Sequence, residues 1–165
     1  MKRNVSRLLQ LLSLTIALFL IAPVITQAQA GKANFSGSWV FNAEKSTLPE
    51  TGGGQRFGGG DMTVTQDATS LTQSRAARDG STRDTKYILD GKENTITTQR
   101  GETKYTAKWS ADGKSLTIVT KMSFNGNEFT TSAVWSLKDA KTLAIENTRQ
   151  GQNGEVKTTM VYDKK

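Results

Sequence analysis

The sequence predicts an all-β domain, an antiparallel up-and-down β-barrel of roughly nine or ten strands that follows an N-terminal signal peptide. Three observations predict it. Turn signals recur from residue 61 onward, at Asp79-Gly80, Asp90-Gly91, Arg100-Gly101, Asp112-Gly113, Asn125-Gly126, Asp139-Ala140 and Asn153-Gly154, with spacings of 10 to 14 residues. Asn-Gly and Asp-Gly supply the positive φ angles that tight hairpin turns require. The segments between them are rich in Thr, Val, Ile, Tyr, Phe and Trp and carry no helical period. Proline occurs only at Pro23 and Pro49, so none interrupts a strand of this meander.

The first element is a leader, residues 1–30. Lys2, Arg3 and Arg7 make a basic start, residues 8–25 are apolar, and small residues stand at Ala28 and Ala30. That order is the one of a secretory signal peptide, with cleavage expected after Ala30. The apolar run approaches the roughly 18–20 residues that span a bilayer. An uncleaved anchor is therefore the alternative, and Gln10, Ser13, Thr15 and Pro23 interrupt it. The expected location is periplasmic or secreted, with no stable membrane insertion after cleavage.

Composition narrows what residues 31–165 can do. The chain has 165 residues and a net charge of +7; three of its 22 basic residues and none of its 15 acids lie in the leader, so the remainder carries +4. The basic residues are spread singly along the strands, where nucleic-acid binders cluster them, and no nucleic-acid partner is expected. Cysteine and histidine are both absent. Disulfides, thiolate chemistry and the usual zinc, copper or haem ligands are thereby excluded, as are Ser-His-Asp and Cys-His nucleophiles. The expectation is no cofactor, no metal and no enzyme activity. Calcium at Glu44, Glu50 and Asp61 has no ligand-loop spacing to support it.

Alternate residues of a strand share a face. One phase carries Tyr87 and Leu89; the next strands place Tyr105, Ala107 and Trp109 together, then Leu116, Ile118, Thr120 and Met122. Further on, Phe129, Thr131, Ala133, Trp135 and Leu137 share a face, as do Leu143, Ile145, Asn147 and Arg149, and then Val156, Thr158, Met160 and Tyr162. The opposite phases are polar. A one-sided sheet of this length covers its apolar face by curling into a barrel or folding into a sandwich, and short sequential hairpins favour the barrel.

Residues 44–60 hold six of the fifteen glycines and are expected to be a flexible Gly-rich loop between the first strand and the meander. Within it, Leu48-Pro49-Glu50-Thr51-Gly52 matches a sortase recognition motif in letters. Such signals stand near a C-terminus before an apolar stretch, and over a hundred mostly polar residues follow this one, so the match is read as incidental.

The segment ANFSGSWVFNAEKS, with Gly37-x-Trp39 on a first strand followed by a loop and a meander, resembles the calycins, the lipocalins and fatty-acid-binding proteins. The ending KTTMVYDKK is similar to the last strand of a fatty-acid-binding protein, and the start is also similar to small exported bacterial proteins of lipocalin-like type. The resemblance implies a barrel closed at one end by Trp39. It does not bring that group's fatty-acid carboxylate site. Aligned on its last strands, Met160 and Trp135 stand where the two arginines would be, and only Tyr162 matches, at the tyrosine. The two-helix lid has no counterpart, and lipocalin motifs beyond the first strand are not evident.

The ligand-binding residues expected are Tyr87, Tyr105, Trp109, Phe129, Trp135, Arg149 and Tyr162, interleaved with Thr131, Thr158 and Asn147. Aromatics with polar tips suit a small apolar or amphipathic guest. The same side chains can instead fill the interior as packed core. Arg75, in phase with Leu71 and Gln73, and Arg149 could each point inward near a rim toward an anionic head group, although a rim or surface charge is the commoner role. The leading function is exported, non-catalytic binding of a small molecule. The alternative is a ligand-free envelope or interaction module acting through the outer face or the Gly-rich loop, with no protein partner identified.

Overall fold

The computed structural model describes residues 31–48, 59–77, 79–98, 101–124, 127–151 and 154–165. The expected leader and the LPETG stretch beyond Leu48 lie outside the described residues. Among the described residues ten strands follow one another: β1 (Gly37–Thr47), β2 (Met62–Gln66), β3 (Ser70–Ala76), β4 (Thr82–Ile88), β5 (Glu93–Thr98), β6 (Gly101–Trp109), β7 (Ser115–Phe124), β8 (Asn127–Asp139), β9 (Thr142–Gly151) and β10 (Gly154–Lys164). They form a single antiparallel sheet ordered β4-β3-β2-β1-β10-β9-β8-β7-β6-β5. Among the described residues, strands adjacent in sequence pair except β4 with β5, which form the two edges, and β1 joins β10, so the barrel is nearly closed. Among the described residues no helix is long and apolar enough to cross a membrane.

The turns at one end share a chemistry. Asp67, Asp90, Asp112 and Asp139 each accept, through a carboxylate oxygen, the amide N–H two residues on: Thr69 at 2.7 Å, Lys92 at 2.9 Å, Lys114 at 3.0 Å and Lys141 at 2.7 Å. Asp79 does the same for Ser81 at 3.0 Å in the opposite-end turn between β3 and β4. These side chains mimic a backbone turn and fix the chain reversal locally. Gly113 has a further reason to be glycine. A Cβ there would meet the Gly31 carbonyl oxygen at 2.5 Å, because the N-terminal segment crosses over it and the Ala33 N–H donates to the Gly113 oxygen at 2.8 Å.

β1 differs from the expected layout. It runs through Thr47, so residues 44–47, expected to open the flexible loop, are strand instead. The cause is a bulge: Asn42 faces Val161 and Thr47 faces Thr159, so five steps along β1 match two along β10. Side chains satisfy the amides that the bulge frees. Asn42 Oδ1 accepts Lys45 N–H, and Ser46 Oγ donates to the Asn42 carbonyl and accepts Val161 N–H. Asn42 Nδ2 and Lys45 Nζ both reach the Asp163 carboxylate, at 2.6 and 2.8 Å.

Candidate functional site

Burial along the inward faces changes from one end of the barrel to the other. Along β7, Leu116 is 0% exposed, Ile118 is buried, Thr120 is half-buried and Met122 is 39% exposed. β9 repeats the order from Leu143 and Ile145, both buried, through half-buried Asn147 to exposed Arg149. β10 runs from Tyr162 at 0% through Met160 and Thr158 to Val156 at 43%. The antiparallel connections bring the C-terminal ends of β7 and β9 and the N-terminal ends of β8 and β10 to the same side. One end of the barrel is packed shut with hydrocarbon and aromatic rings. Toward the other end the described inward residues become more exposed and mix Thr, Asn, Met, Phe, Val and Arg.

The closed floor is built around Phe35, a residue the sequence reading did not single out. Phe35 is fully buried. It stacks on Trp109 with ring centroids 5.7 Å apart and meets Trp135 edge-on at 5.8 Å. Its carbonyl accepts the Trp39 indole N–H at 2.8 Å. Gln66 clamps the segment by accepting Phe35 N–H at 3.0 Å and donating to the Ala33 carbonyl at 2.9 Å. The even spacing from Phe35 to Trp39 was the signal available, since both then share a face. Gly37 lies between them at a φ of 144°, where the Lys164 side chain crosses it and carries Nζ to 5.3 Å from the Trp39 ring centroid. The Gly-x-Trp pattern thus leaves room for a lysine to lie across the first strand.

The structure places the other expected residues as follows. Trp135 is buried in the floor, and Trp109 is partly buried there with its indole N–H enclosed and lacking a hydrogen-bond partner among the described residues. Tyr87 and Tyr105 meet edge-on with centroids 5.2 Å apart, beside the seam between β4 and β5. Burial pushes the Tyr87 phenol above its ordinary pKa, while the nearby Arg75 charge pulls it down. Phe129 is half-buried, and the exposed Arg149 guanidinium lies 5.3 Å from its ring centroid, so these two meet near the open end. Tyr162 is fully buried, packs edge-on against Phe41, and accepts a hydrogen bond from Arg75 Nη2 at 3.0 Å.

That last contact was not legible in the sequence. Arg75, on β3, also donates from Nη1 to the Gly60 carbonyl at 3.0 Å, and its guanidinium lies 5.7 Å from the Tyr162 ring centroid. The cation beside Tyr162 therefore comes from the third strand, not from the positions of Met160 and Trp135. Among the described residues no group of three or more His, Cys, Asp or Glu side chains could hold a metal ion.

No known family's sequence profile matches the chain, and no curated protein matches it. Solved structures do. The zebrafish ileal bile acid-binding protein complexed with cholic acid is similar with a TM-score of 0.53 and 18% identity, over 81% of this chain and 100% of that one. An abundant heat soluble (SAHS) protein from Ramazzottius varieornatus is similar with a TM-score of 0.55 and 14% identity, over 82% of this chain and 97% of that one. At such identities the likeness is one of fold, and the fold of residues 31–165 is the calycin-type, lipocalin-like barrel.

Proposed function

We propose that the chain is an exported, non-catalytic binding protein for a small apolar or amphipathic molecule, held in the open half of the barrel and acting in the periplasm or outside the cell. The observation that carries this reading is the inward burial gradient, with Leu116 at 0% and Met122 at 39% on one strand. The closed end of the barrel is filled by packed side chains. The open half instead mixes rings with hydroxyl, amide and guanidinium groups, in the proportion that small-molecule sites use to combine apolar contact with orientation. Phe129 and Arg149 stand toward the open half, Tyr87, Tyr105 and Tyr162 lie deeper, and Trp109 and Trp135 form the floor. A barrel of the same fold complexed with cholic acid supports the reading. The basic, apolar and small-residue order of residues 1–30 supports export.

The test is native mass spectrometry of the protein purified from its own compartment. The expected result is a population carrying a small, organic-extractable adduct that is lost on delipidation and regained on exposure to the extract. A single unliganded mass that takes up nothing from the extract would contradict the reading.

A further inference from the structure

β4 is one of the two sheet edges, and it is a regular one. Its register with β3 runs unbroken from the Ser70–Ile88 pair to the Ala76–Thr82 pair. It holds no proline, glycine or bulge, the devices that commonly blunt an edge. The direction of its amides alternates along the strand. Leu89 N–H is turned toward β3 and donates to the Thr69 carbonyl at 2.8 Å, whereas Ile88 N–H is turned the other way and donates to Tyr105. By that alternation Thr82, Asp84 and Lys86 present their N–H and C=O groups to the free edge. Thr82, Arg83, Asp84 and Lys86 are exposed, so the end of the edge away from Tyr105 is accessible. The side chains there are complementary to a copy of themselves. Antiparallel pairing about Thr85 sets Asp84 opposite Lys86 of a second copy, and Lys86 opposite its Asp84. Both stand on the outward face, beside neutral Ser74 and Thr72 of β3. β5, the other edge, carries a single charge, Glu93 at its start, and has no such symmetry.

We propose that β4 is a self-association edge, which pairs with β4 of a second copy of this chain about a two-fold axis at Thr85. The edge-facing groups of Asp84 and Lys86 form the hydrogen-bonded pairs of this ladder, each exchanging both of its bonds. Thr85 takes the central, non-hydrogen-bonded position. Opposite charges directly across antiparallel strands attract, so the outward face gains an ion pair on each side of the axis. Charged side chains on an edge commonly keep strands apart. Here opposite signs at symmetric positions favour one partner, the same strand in one register. The Ile88 N–H is already held by Tyr105, so the ladder stops short of it and the association is reversible. The pairing is independent of any guest inside the barrel.

The test is sedimentation velocity of the purified protein at concentrations up to about 1 mM, where even weak pairing is populated. The expected result is a dimer fraction that rises with concentration. Asp84→Lys leaves two cations on the edge and Lys86→Asp leaves two anions. Each alone is expected to weaken association at least about tenfold, because like charges then face each other. An equimolar mixture of the two variants is expected to associate again, as is a chain carrying both exchanges. Recovery on mixing shows that each variant is folded. The natural chain has no cysteine, so Thr85→Cys adds one thiol per copy. A non-hydrogen-bonded pair brings the two Cα atoms to about 4.5 Å, within disulfide range, and mild oxidation is expected to yield a covalent dimer. The pairing is overturned by a monomer at every concentration, by a dimer undiminished in either single variant, by a mixture that fails to associate, or by a Thr85→Cys chain that does not cross-link. None of these results bears on the binding function.

Discussion

The phenol oxygen of Tyr105, on β6, accepts the Ile88 N–H of β4 at 2.9 Å, across the seam where β4 and β5 do not pair. A side chain thus supplies a bond that a strand ladder supplies elsewhere. Ile88 is half-buried, and a buried amide without a partner costs about 1–3 kcal/mol. Tyr105→Phe keeps the ring packed against Tyr87 and removes only the acceptor. The expected outcome is a loss of about 1–2 kcal/mol in denaturant unfolding. The Ile88 amide should also exchange hydrogen faster, with little change in the β7, β8 and β9 amides.

The same substitution is expected to have unequal effects at two tryptophans of the floor. Trp39 donates its indole N–H to the Phe35 carbonyl, whereas the enclosed Trp109 N–H has no partner among the described residues. Trp39→Phe loses ring contact and leaves a buried carbonyl unpaired; Trp109→Phe loses ring contact and removes an unsatisfied donor. Thermal unfolding is expected to rank Trp39→Phe as the more damaging by about 1–2 kcal/mol.

Gly113 and Gly80 have similar positive φ values, 70° and 80°, in different surroundings. A Cβ at Gly80 has nothing within 4 Å, while one at Gly113 strikes the Gly31 backbone. Gly80→Ala is expected to cost only the left-handed strain, roughly 1–2 kcal/mol. Gly113→Ala is expected to cost more and to free the N-terminal segment. Loss of the Phe35 contacts to Trp109 and Trp135, read by tryptophan emission, checks the second part.

Acidification is expected to destabilise the fold through its turns. Hydrogen bonds from Thr69 and Ser70 hold the Asp67 carboxyl far below its ordinary value of 3.8, and those from Ser81, Lys92, Ser110 and Lys141 lower Asp79, Asp90, Asp112 and Asp139 in turn. A carboxyl with a lowered folded pKa binds protons more readily when unfolded. Its stabilising contribution is therefore complete above the unfolded value and is lost as pH falls through the folded one. Urea midpoints are expected to be level near neutrality and to drop below about pH 4. Asp67→Asn, which keeps an acceptor and removes the titration, is expected to make that drop shallower.

The turns and the inward phases were legible because both are local properties of the chain. An Asp-Gly pair sets its own reversal, and a period of two sets its own face. The phases that grouped Leu116 with Met122, and Leu143 with Arg149, are those of the folded strands. What was not legible depends on register and on reach between distant strands. Arg75 meets Tyr162 across 87 positions of sequence, and the bulge that extends β1 to Thr47 depends on Ser46 reaching the Val161 amide. Phe35 was missed because it precedes the first strand, in a segment whose path is set by Gln66 and Gly113.

The most direct measurement is titration of the purified protein with an environment-sensitive lipophilic fluorophore, set against a variant that fills the open half. Thr131 is a half-buried inward residue of β8, opposite Thr120 and Arg149, and Thr131→Trp puts a large ring there. The account predicts saturable probe binding with quenching of the floor tryptophans in the natural protein, and loss of that binding in a Thr131→Trp variant that still unfolds cooperatively. A probe that never saturates, or one that binds the filled variant equally well, would contradict it.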